Sequence, residues 1–205
     1  YHFQKLSNIN GDLRPGIVHR LDKDTSGVMV IAKNNSSHAF LADQFKERKV
    51  KKKYIGLTWG LWDNKNGEIN EPLHRDKKDP TRFSINANGK NSITKYKVEK
   101  IFRHSSLVSF FPLTGRTHQI RIHSSHCGYP IFGDEKYGGG ISRSKGFLPE
   151  FKSHYKRMIQ KFNRHALHAE RLELIHPVSK QIVKFDAPLP QEYLDLVKSI
   201  NLLNE

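Results

Sequence analysis

A short run of charged residues, 19–24, mixes acidic with basic side chains and offers the clearest candidates for chemistry in the chain. Its members with charged or imidazole side chains are His19, Arg20, Asp22, Lys23 and Asp24. Phosphate binding alone needs no carboxylate among cations, because the negative charge would repel the ligand. A carboxylate in this setting therefore favours acid–base or nucleophilic chemistry over simple binding.

The same stretch also fits a purely structural turn. Residues 22–27 read Asp-Lys-Asp-Thr-Ser-Gly, and Asp, Thr and Ser side chains hydrogen-bond to nearby backbone amides in turns. Residues 28–32 are uniformly apolar and predict a buried strand directly after the turn. The turn would then be fixed between this strand and the apolar pair Ile17 and Val18, a usual setting for catalytic side chains on loops.

A second candidate segment combines a basic run with an aromatic residue. Residues 54–60 alternate in character, which predicts a strand with Tyr54 on its less apolar side. The lysines at 51–53 directly precede this predicted strand. A charge run is usually a solvated face, but in a strongly basic protein it is also a candidate for phosphate contact.

The third candidate segment, residues 114–123, contains Arg116, His118 and Arg121. Thr117 is predicted to cap a helix that ends near Gly128. Arg121 would then lie in the first turns of that helix, close to the preceding loop and strand ends. The plain alternative is a solvated helix face.

Two motifs together resemble the RluA-type RNA pseudouridine synthases. They are His-Arg-Leu-Asp-Lys-Asp-Thr-Ser-Gly at 19–27 and Gly-Arg-Thr-His-Gln-Ile-Arg at 115–121. The resemblance covers about residues 14–190, and Gly-Asp-x-x-Tyr-Gly-Gly at 133–139 suggests the large-subunit ribosomal RNA branch. It implies isomerisation of specific uridines to pseudouridine in that RNA, with transfer RNA as the alternative target.

The resemblance also implies roles for individual residues. Asp22 would attack C1′ or take the C2′ proton of a flipped uridine, and Arg121 would pair with it, since a nearby cation favours a charged carboxylate. Tyr54 would stack on the uracil and act as, or assist, the base that removes the C5 proton. The predicted RNA-binding residues are His19, Arg20, Lys51, Lys52, Lys53, Arg116 and His118. The isomerisation involves no redox change, so no cofactor is expected.

The remaining pattern predicts an α+β fold, a single catalytic domain over residues 1–205 with a mixed, mostly antiparallel sheet flanked by helices. Strands are predicted near 67–70, 82–85, 94–98, 107–111, 167–172 and 182–185, and helices near 40–48, 149–162 and 193–200. Tyr1, Phe3 and Leu6 suggest the tail of another helix. Residues 138–164 are interpreted as a local insertion.

The amino-acid composition limits the classes of molecule that this chain is expected to bind. The net charge is +15 and the pI about 9.9, which favours a polyanion, RNA above all, over a membrane surface. The one cysteine, Cys127, excludes an intramolecular disulfide and fits a reducing compartment. We expect a cytoplasmic monomer without a membrane span. The chain starts without Met, and we expect upstream residues, including any accessory RNA-binding domain, to be absent.

Two other classes of function compete. The His-x-x-His spacings at 123–126 and 165–168 suggest a metal, but structural zinc sites usually draw on several cysteines, and no metal site is predicted. A non-catalytic RNA-binding or ribosome-assembly protein would share the basic charge. Asp22, Tyr54 and Arg121 are what favour an enzyme over such a protein.

Overall fold

The computed structural model describes residues 6–11, 13–76 and 79–203. Its strands are β1 (Ser26–Gly27), β2 (Lys51–Trp59), β3 (Asn66–Asn70), β4 (Leu73–Arg75), β5 (Phe83–Ile85), β6 (Ile93–Ile101), β7 (Ser105–Pro112), β8 (Leu167–Ile175) and β9 (Ile182–Asp186). Its α-helices are α1 (Asn35–Lys46), α2 (Gln119–His126), α3 (Pro149–Phe162) and α4 (Gln191–Leu202). Tyr1 and Phe3, part of the predicted N-terminal helix tail, lie outside the described residues.

Among the described residues, seven strands form one sheet in the order β1-β8-β2-β7-β6-β3, with β9 also paired to β8. Every pairing is antiparallel except that of β1 with β8, which is parallel. Strands β4 and β5 form a separate hairpin. The predicted α+β class with a mixed, mostly antiparallel sheet is therefore confirmed.

The main core is built around the central strand β2. All five residues from Ile55 to Trp59 are buried, so both faces of this part of the strand are covered although its sequence alternates in character. The Trp59 ring lies 4.9 Å from that of Phe132 and 4.8 Å from that of Tyr155 on α3. Helix α3 thus contributes to the central core, while the interpretation of residues 138–164 as an insertion stays a prediction.

The predicted buried strand over residues 28–32 is wrong. The strand in this region is β1, which ends at Gly27, directly before the predicted segment. Within that segment Met29 is 41% exposed, whereas Ala32 is buried. Val28 and Val30 are only partly buried against a small cluster with Ala32. Within the segment only Met29 is exposed, and the other four residues are partly or fully buried. Ile31 makes an isolated antiparallel bridge to Ile17 instead of joining the sheet.

Two local boundaries also differ from prediction. The lysines at 51–53 belong to β2 itself instead of preceding it, and the register with β8 shifts between Lys53 and Tyr54. Helix α2 is capped by His118 at φ 57°, with no hydrogen bond from its side chain, and not by Thr117. The left-handed backbone at His118 turns the chain sharply from the preceding loop into the helix. No helix of the described residues is long and apolar enough to cross a bilayer.

Candidate active site

The three residues predicted to be catalytic line one open cleft of about 500 Å³, large enough for a single nucleoside. The charged turn contributes Asp22, β2 contributes Tyr54, and Arg121 comes from the first turn of α2. The fold thereby brings together three residues that are tens of positions apart in the sequence.

The turn that carries Asp22 is fixed at its C-terminal end by β8 and by His165, which lies two residues before that strand. Thr25 Oγ1 lies 2.7 Å from His165 Nε2, and Ser26 Oγ lies 2.9 Å from His168 Nδ1. Gly27 pairs with Ala169, and its φ is 125°. A Cβ at Gly27 would collide with the Ala169 backbone, so this contact requires glycine.

Asp22 and Arg121 form the central ion pair of the cleft. Arg121 Nη1 donates to Asp22 Oδ2 at 3.2 Å, and the Asp22 side chain keeps 19% of its surface exposed toward the cleft. A carboxylate that is both ion-paired and reachable from solvent suits a group that must meet a substrate.

Asp134, a residue without a predicted role, holds the other side of the same guanidinium. Arg121 Nε donates to Asp134 Oδ2 at 2.6 Å and Nη2 to Oδ1 at 2.8 Å, and the Asp134 side chain is 1% exposed. Burial alone would lower the pKa of Arg121, but the hydrogen bonds and charges of Asp134 and Asp22 raise it above its usual value. Arg121 is therefore a permanent cation with one fixed orientation.

His118 lies near the other carboxylate oxygen of Asp22, with its Nε2 4.0 Å from Oδ1. Tyr137 Oη accepts the Phe83 N–H at 3.2 Å and lies 2.7 Å from His118 Nδ1. The donor in the His118–Tyr137 contact depends on the His118 tautomer. In the tautomer whose Nδ1 accepts the Tyr137 hydroxyl proton, the imidazole proton lies on Nε2, 4.0 Å from Asp22 Oδ1. Burial lowers the pKa of His118, with Asp22 opposing the shift, so the neutral form prevails at pH 7.

Tyr54 presents a neutral phenol to the cleft. Burial, together with the charge of Asp22, raises its pKa to about 12. At neutral pH the ring and the intact O–H face the cleft, which suits stacking and hydrogen bonding better than action as a phenolate base.

The predicted RNA-binding lysines separate onto two faces of β2. Lys52 lines the cleft with Tyr54, two residues on, and its Nζ donates to the Thr114 carbonyl at 3.2 Å. Lys51 and Lys53 instead pair with Glu173 at 2.8 Å and Glu170 at 2.6 Å. Only Lys52 of the three is placed beside the catalytic candidates, because successive strand residues point to opposite faces.

The other predicted RNA-binding residues, Arg20, Arg116 and His19, also line the cleft. Arg20 is exposed, and Arg116 Nε donates to the Asn91 carbonyl at 3.4 Å. The His19 Nε2 accepts the Val30 N–H at 3.0 Å, and its ring stacks on Phe45. Burial lowers the pKa of His19 to about 4, so it fixes the turn as a neutral side chain.

Three of the four histidines in the His-x-x-His pairs have protein partners, and the fourth, His126, is exposed. His123 contacts Thr94 Oγ1 at 2.9 Å and the Glu71 carbonyl at 3.0 Å, while His165 and His168 fix the charged turn. In the part of the chain that the structure describes, no group of three or more His, Cys, Asp or Glu side chains is arranged to hold a metal ion.

A protein-family model described as RNA pseudouridylate synthase matches residues 2–126. The chain belongs to the RNA pseudouridylate synthase family. This confirms the resemblance drawn from the motifs at 19–27 and 115–121. The matched range contains Asp22, Tyr54 and Arg121 and ends before Asp134.

Similar members of the RNA pseudouridylate synthase family include curated proteins and solved structures. The chain is 40% identical over 199 residues to the uncharacterized RNA pseudouridine synthase YlyB of Bacillus subtilis, covering 97% of this chain and 60% of that protein. It is 42% identical over 195 residues to ribosomal large subunit pseudouridine synthase D of Buchnera aphidicola, covering 94% and 60%. Human RNA pseudouridylate synthase domain containing 4 superposes with a TM-score of 0.69 at 25% identity, over 93% of this chain and 78% of that one.

The chain spans about three fifths of the length of the curated relatives it matches. Sequence reasoning missed Asp134, Tyr137 and His165 as members of the site. Two signals were available: the Gly133-Asp134 pair before Tyr137, since Gly and Asp favour turns, and the His-x-x-His spacing that contains His165.

Proposed function

We propose that this chain is the catalytic domain of an RNA pseudouridine synthase that isomerises uridines to pseudouridine with Asp22 as its reacting carboxylate. The observation that supports this most is the partly exposed Asp22 carboxylate in a nucleoside-sized cleft, 3.2 Å from the Arg121 guanidinium, whose other donors are held by Asp134. Family membership supports the reaction class.

The isomerisation breaks the N1–C1′ bond and forms a C5–C1′ bond, while C5 loses a proton and N1 gains one. One carboxylate is needed, to attack C1′ or to take the C2′ proton, and Asp22 suits either step. Asp134 is unsuited because both its oxygens are engaged by Arg121 and its side chain is 1% exposed. The uridine must leave its stack to reach Asp22, so we infer base flipping.

The surrounding residues support a pocket for a flipped base. The neutral Tyr54 ring offers a stacking surface, and the His118 Nε2–H and the Lys52 ammonium offer donors to uracil carbonyls or phosphate. Arg20, exposed at the rim, is suited to fill the vacated stack or to hold a flanking phosphate. The isomerisation involves no redox change, so we expect these side chains to act without a cofactor.

For the target we propose a uridine in large-subunit ribosomal RNA. The support comes from the similar protein of Buchnera aphidicola, whose name specifies the ribosomal large subunit, and from the motif at 133–139. The expectations of a monomer and of a cytoplasmic location stay predictions.

The test compares Asp22→Asn with Asp24→Asn, a carboxylate two residues away that is exposed. Purified variants are incubated with a large-subunit RNA fragment and with an anticodon stem-loop, and pseudouridine is quantified by mass spectrometry. Asp22→Asn should lose at least about 10³-fold in single-turnover rate with RNA affinity within about threefold, whereas Asp24→Asn should retain activity. Comparable turnover by Asp22→Asn would overturn the catalytic assignment, and modification of the anticodon stem-loop alone would overturn the ribosomal target.

A further inference from the structure

Residues 138–164 concentrate positive charge in one segment of the chain. They contain seven Lys and Arg residues and one acidic residue, so this eighth of the chain supplies +6 of the net +15. Helix α3 makes up half of the segment.

Helix α3 separates its apolar and basic residues onto opposite faces. Tyr155 and Phe162 are buried in the main core, with Phe151, Met158 and Ile159 packed against it. The exposed face carries the cations Lys152, Lys156, Arg157 and Lys161. These four side chains are called the α3 basic face.

The α3 basic face is not neutralised by the protein. Within the described residues, no carboxylate forms an ion pair with any of its four cations. Lys152 and Lys156, and likewise Arg157 and Lys161, stand four residues apart on the helix, where like charges repel. An arrangement that is unfavourable in the free protein becomes favourable against an extended polyanion.

The fold fixes this segment to the site at both ends. It begins directly after Tyr137, which holds His118, and it ends directly before His165, which holds Thr25. Arg164 Nη1 also donates to the carbonyl of Asp24 at 3.2 Å. Lys152, the cation of the face farthest along the chain from His165, lies about 15 Å from the end of the helix, and the three following residues span at most about 11 Å. Every cation of the face therefore lies within about 26 Å of His165, which anchors the charged turn.

We propose that the α3 basic face binds the phosphate backbone of the RNA that flanks the target nucleotide. The proposal rests on the proposed function, since it takes the RNA entering the cleft as its ligand. A lipid surface fits less well, because an interfacial helix must bury its apolar face in the bilayer, and here that face is already in the protein core.

The test uses a variant that neutralises the face, K152Q/K156Q/R157Q/K161Q, and a control that removes the same net charge from cations already paired with carboxylates, K95Q/K97Q/R171Q/K184Q. Binding is measured by fluorescence anisotropy from 50 to 300 mM salt on a large-subunit RNA stem-loop. A five-nucleotide RNA with the same target uridine serves as the short ligand. Circular dichroism verifies that both variants fold.

Each phosphate contact contributes about 0.7–0.9 to the slope of log affinity against log salt. The α3 variant should therefore lose about two to four from that slope on the stem-loop, with affinity reduced at least about tenfold near 100 mM salt. It should bind the five-nucleotide RNA as the wild type does and keep its single-turnover rate at saturating stem-loop. The control variant should change the slope by less than about one.

An unchanged slope in the α3 variant, or equal losses in both variants, would overturn the proposal. Equal loss on the short RNA would also overturn it, because the contact would then be at the cleft. Loss of binding to phosphatidylserine vesicles with unchanged RNA binding would assign the face to a membrane instead. If the wild type makes no pseudouridine but the α3 variant still shows the smaller salt slope, the proposed reaction is refuted while the proposed RNA-binding surface is retained.

Discussion

Removal of the Asp134 carboxylate should reveal how the ion pair of Asp22 and Arg121 is held in place. In the native arrangement Asp134 takes two of the guanidinium donors of Arg121, at 2.6 and 2.8 Å, and leaves Nη1 for Asp22. In Asp134→Ala the Arg121 side chain, 8% exposed, becomes a buried cation with Asp22 as its remaining carboxylate. The guanidinium is then free to turn toward Asp22.

The expected loss of stability follows from burial. Removing one partner of a buried ion pair costs about 3–5 kcal/mol, and Asp22 should offset part of this, so we expect about 3 kcal/mol. For a chain of 205 residues, each kcal/mol shifts Tm by about 2–4 °C, which gives a fall of about 6–12 °C. A shift of the guanidinium by about 1 Å should lower the single-turnover rate about 100-fold.

The assay combines thermal unfolding by circular dichroism with single-turnover pseudouridine formation at saturating RNA. Asp186→Ala is the matched control, because Asp186 pairs with Arg171 at the surface, where both side chains are about half exposed and such pairs contribute about 0–1 kcal/mol. A Tm for Asp134→Ala within 2 °C of the control would refute the anchoring argument. A lower Tm with an undiminished rate would limit Asp134 to a structural role.

Three more outcomes are expected. Burial lowers the pKa of Lys52 to about 8, so its ammonium loses its charge as the pH rises through about 8. RNA affinity measured by anisotropy should fall over that range. Lys52→Arg should abolish this fall because the guanidinium stays charged. Burial lowers the pKa of His165 from 6.5 to about 4, so between these pH values the unfolded chain binds a proton that the folded chain does not. The free energy of unfolding should therefore fall by about 2 kcal/mol between pH 7 and 5 because of this group. In urea unfolding, His165→Gln should lack this contribution of about 2 kcal/mol to the pH dependence. Gly27→Ala should destabilise by more than about 1 kcal/mol, since its φ is 125° and its Cβ meets the Ala169 backbone, whereas Gly128→Ala, also at positive φ but beside open space, should lose less.

Some elements could be predicted from sequence because their signal is local. The apolar spacing in α3, and in the hairpin of β6 and β7, matches the periods of helix and strand, and each element lies where its pattern predicted. The family resemblance rested on two short motifs, and the family match confirmed it.

Other features depended on neighbours that the sequence does not reveal. Residues 28–32 are as apolar as a buried strand, yet they belong to none of the strands described above and only Ala32 among them is fully buried. Composition does not reveal whether an apolar run pairs within a sheet. The lysines at 51–53 read as one basic run. Once β2 begins at Lys51, alternation sends Lys52 into the cleft and its two neighbours to the carboxylates of β8.

By itself the sequence determined the chemical types available, namely a carboxylate in a turn, a phenol on a strand and a guanidinium on a helix, together with the strong positive charge. The tertiary structure decided that Asp134 anchors Arg121, that His118 faces Asp22, and that β8 holds the charged turn. These contacts join residues 13 to 142 positions apart. The physical reason is that a motif consists of residues adjacent in the sequence, so its chemical groups can be identified there. The orientation of a buried charge depends instead on the distant groups that the packed core brings within hydrogen-bonding distance.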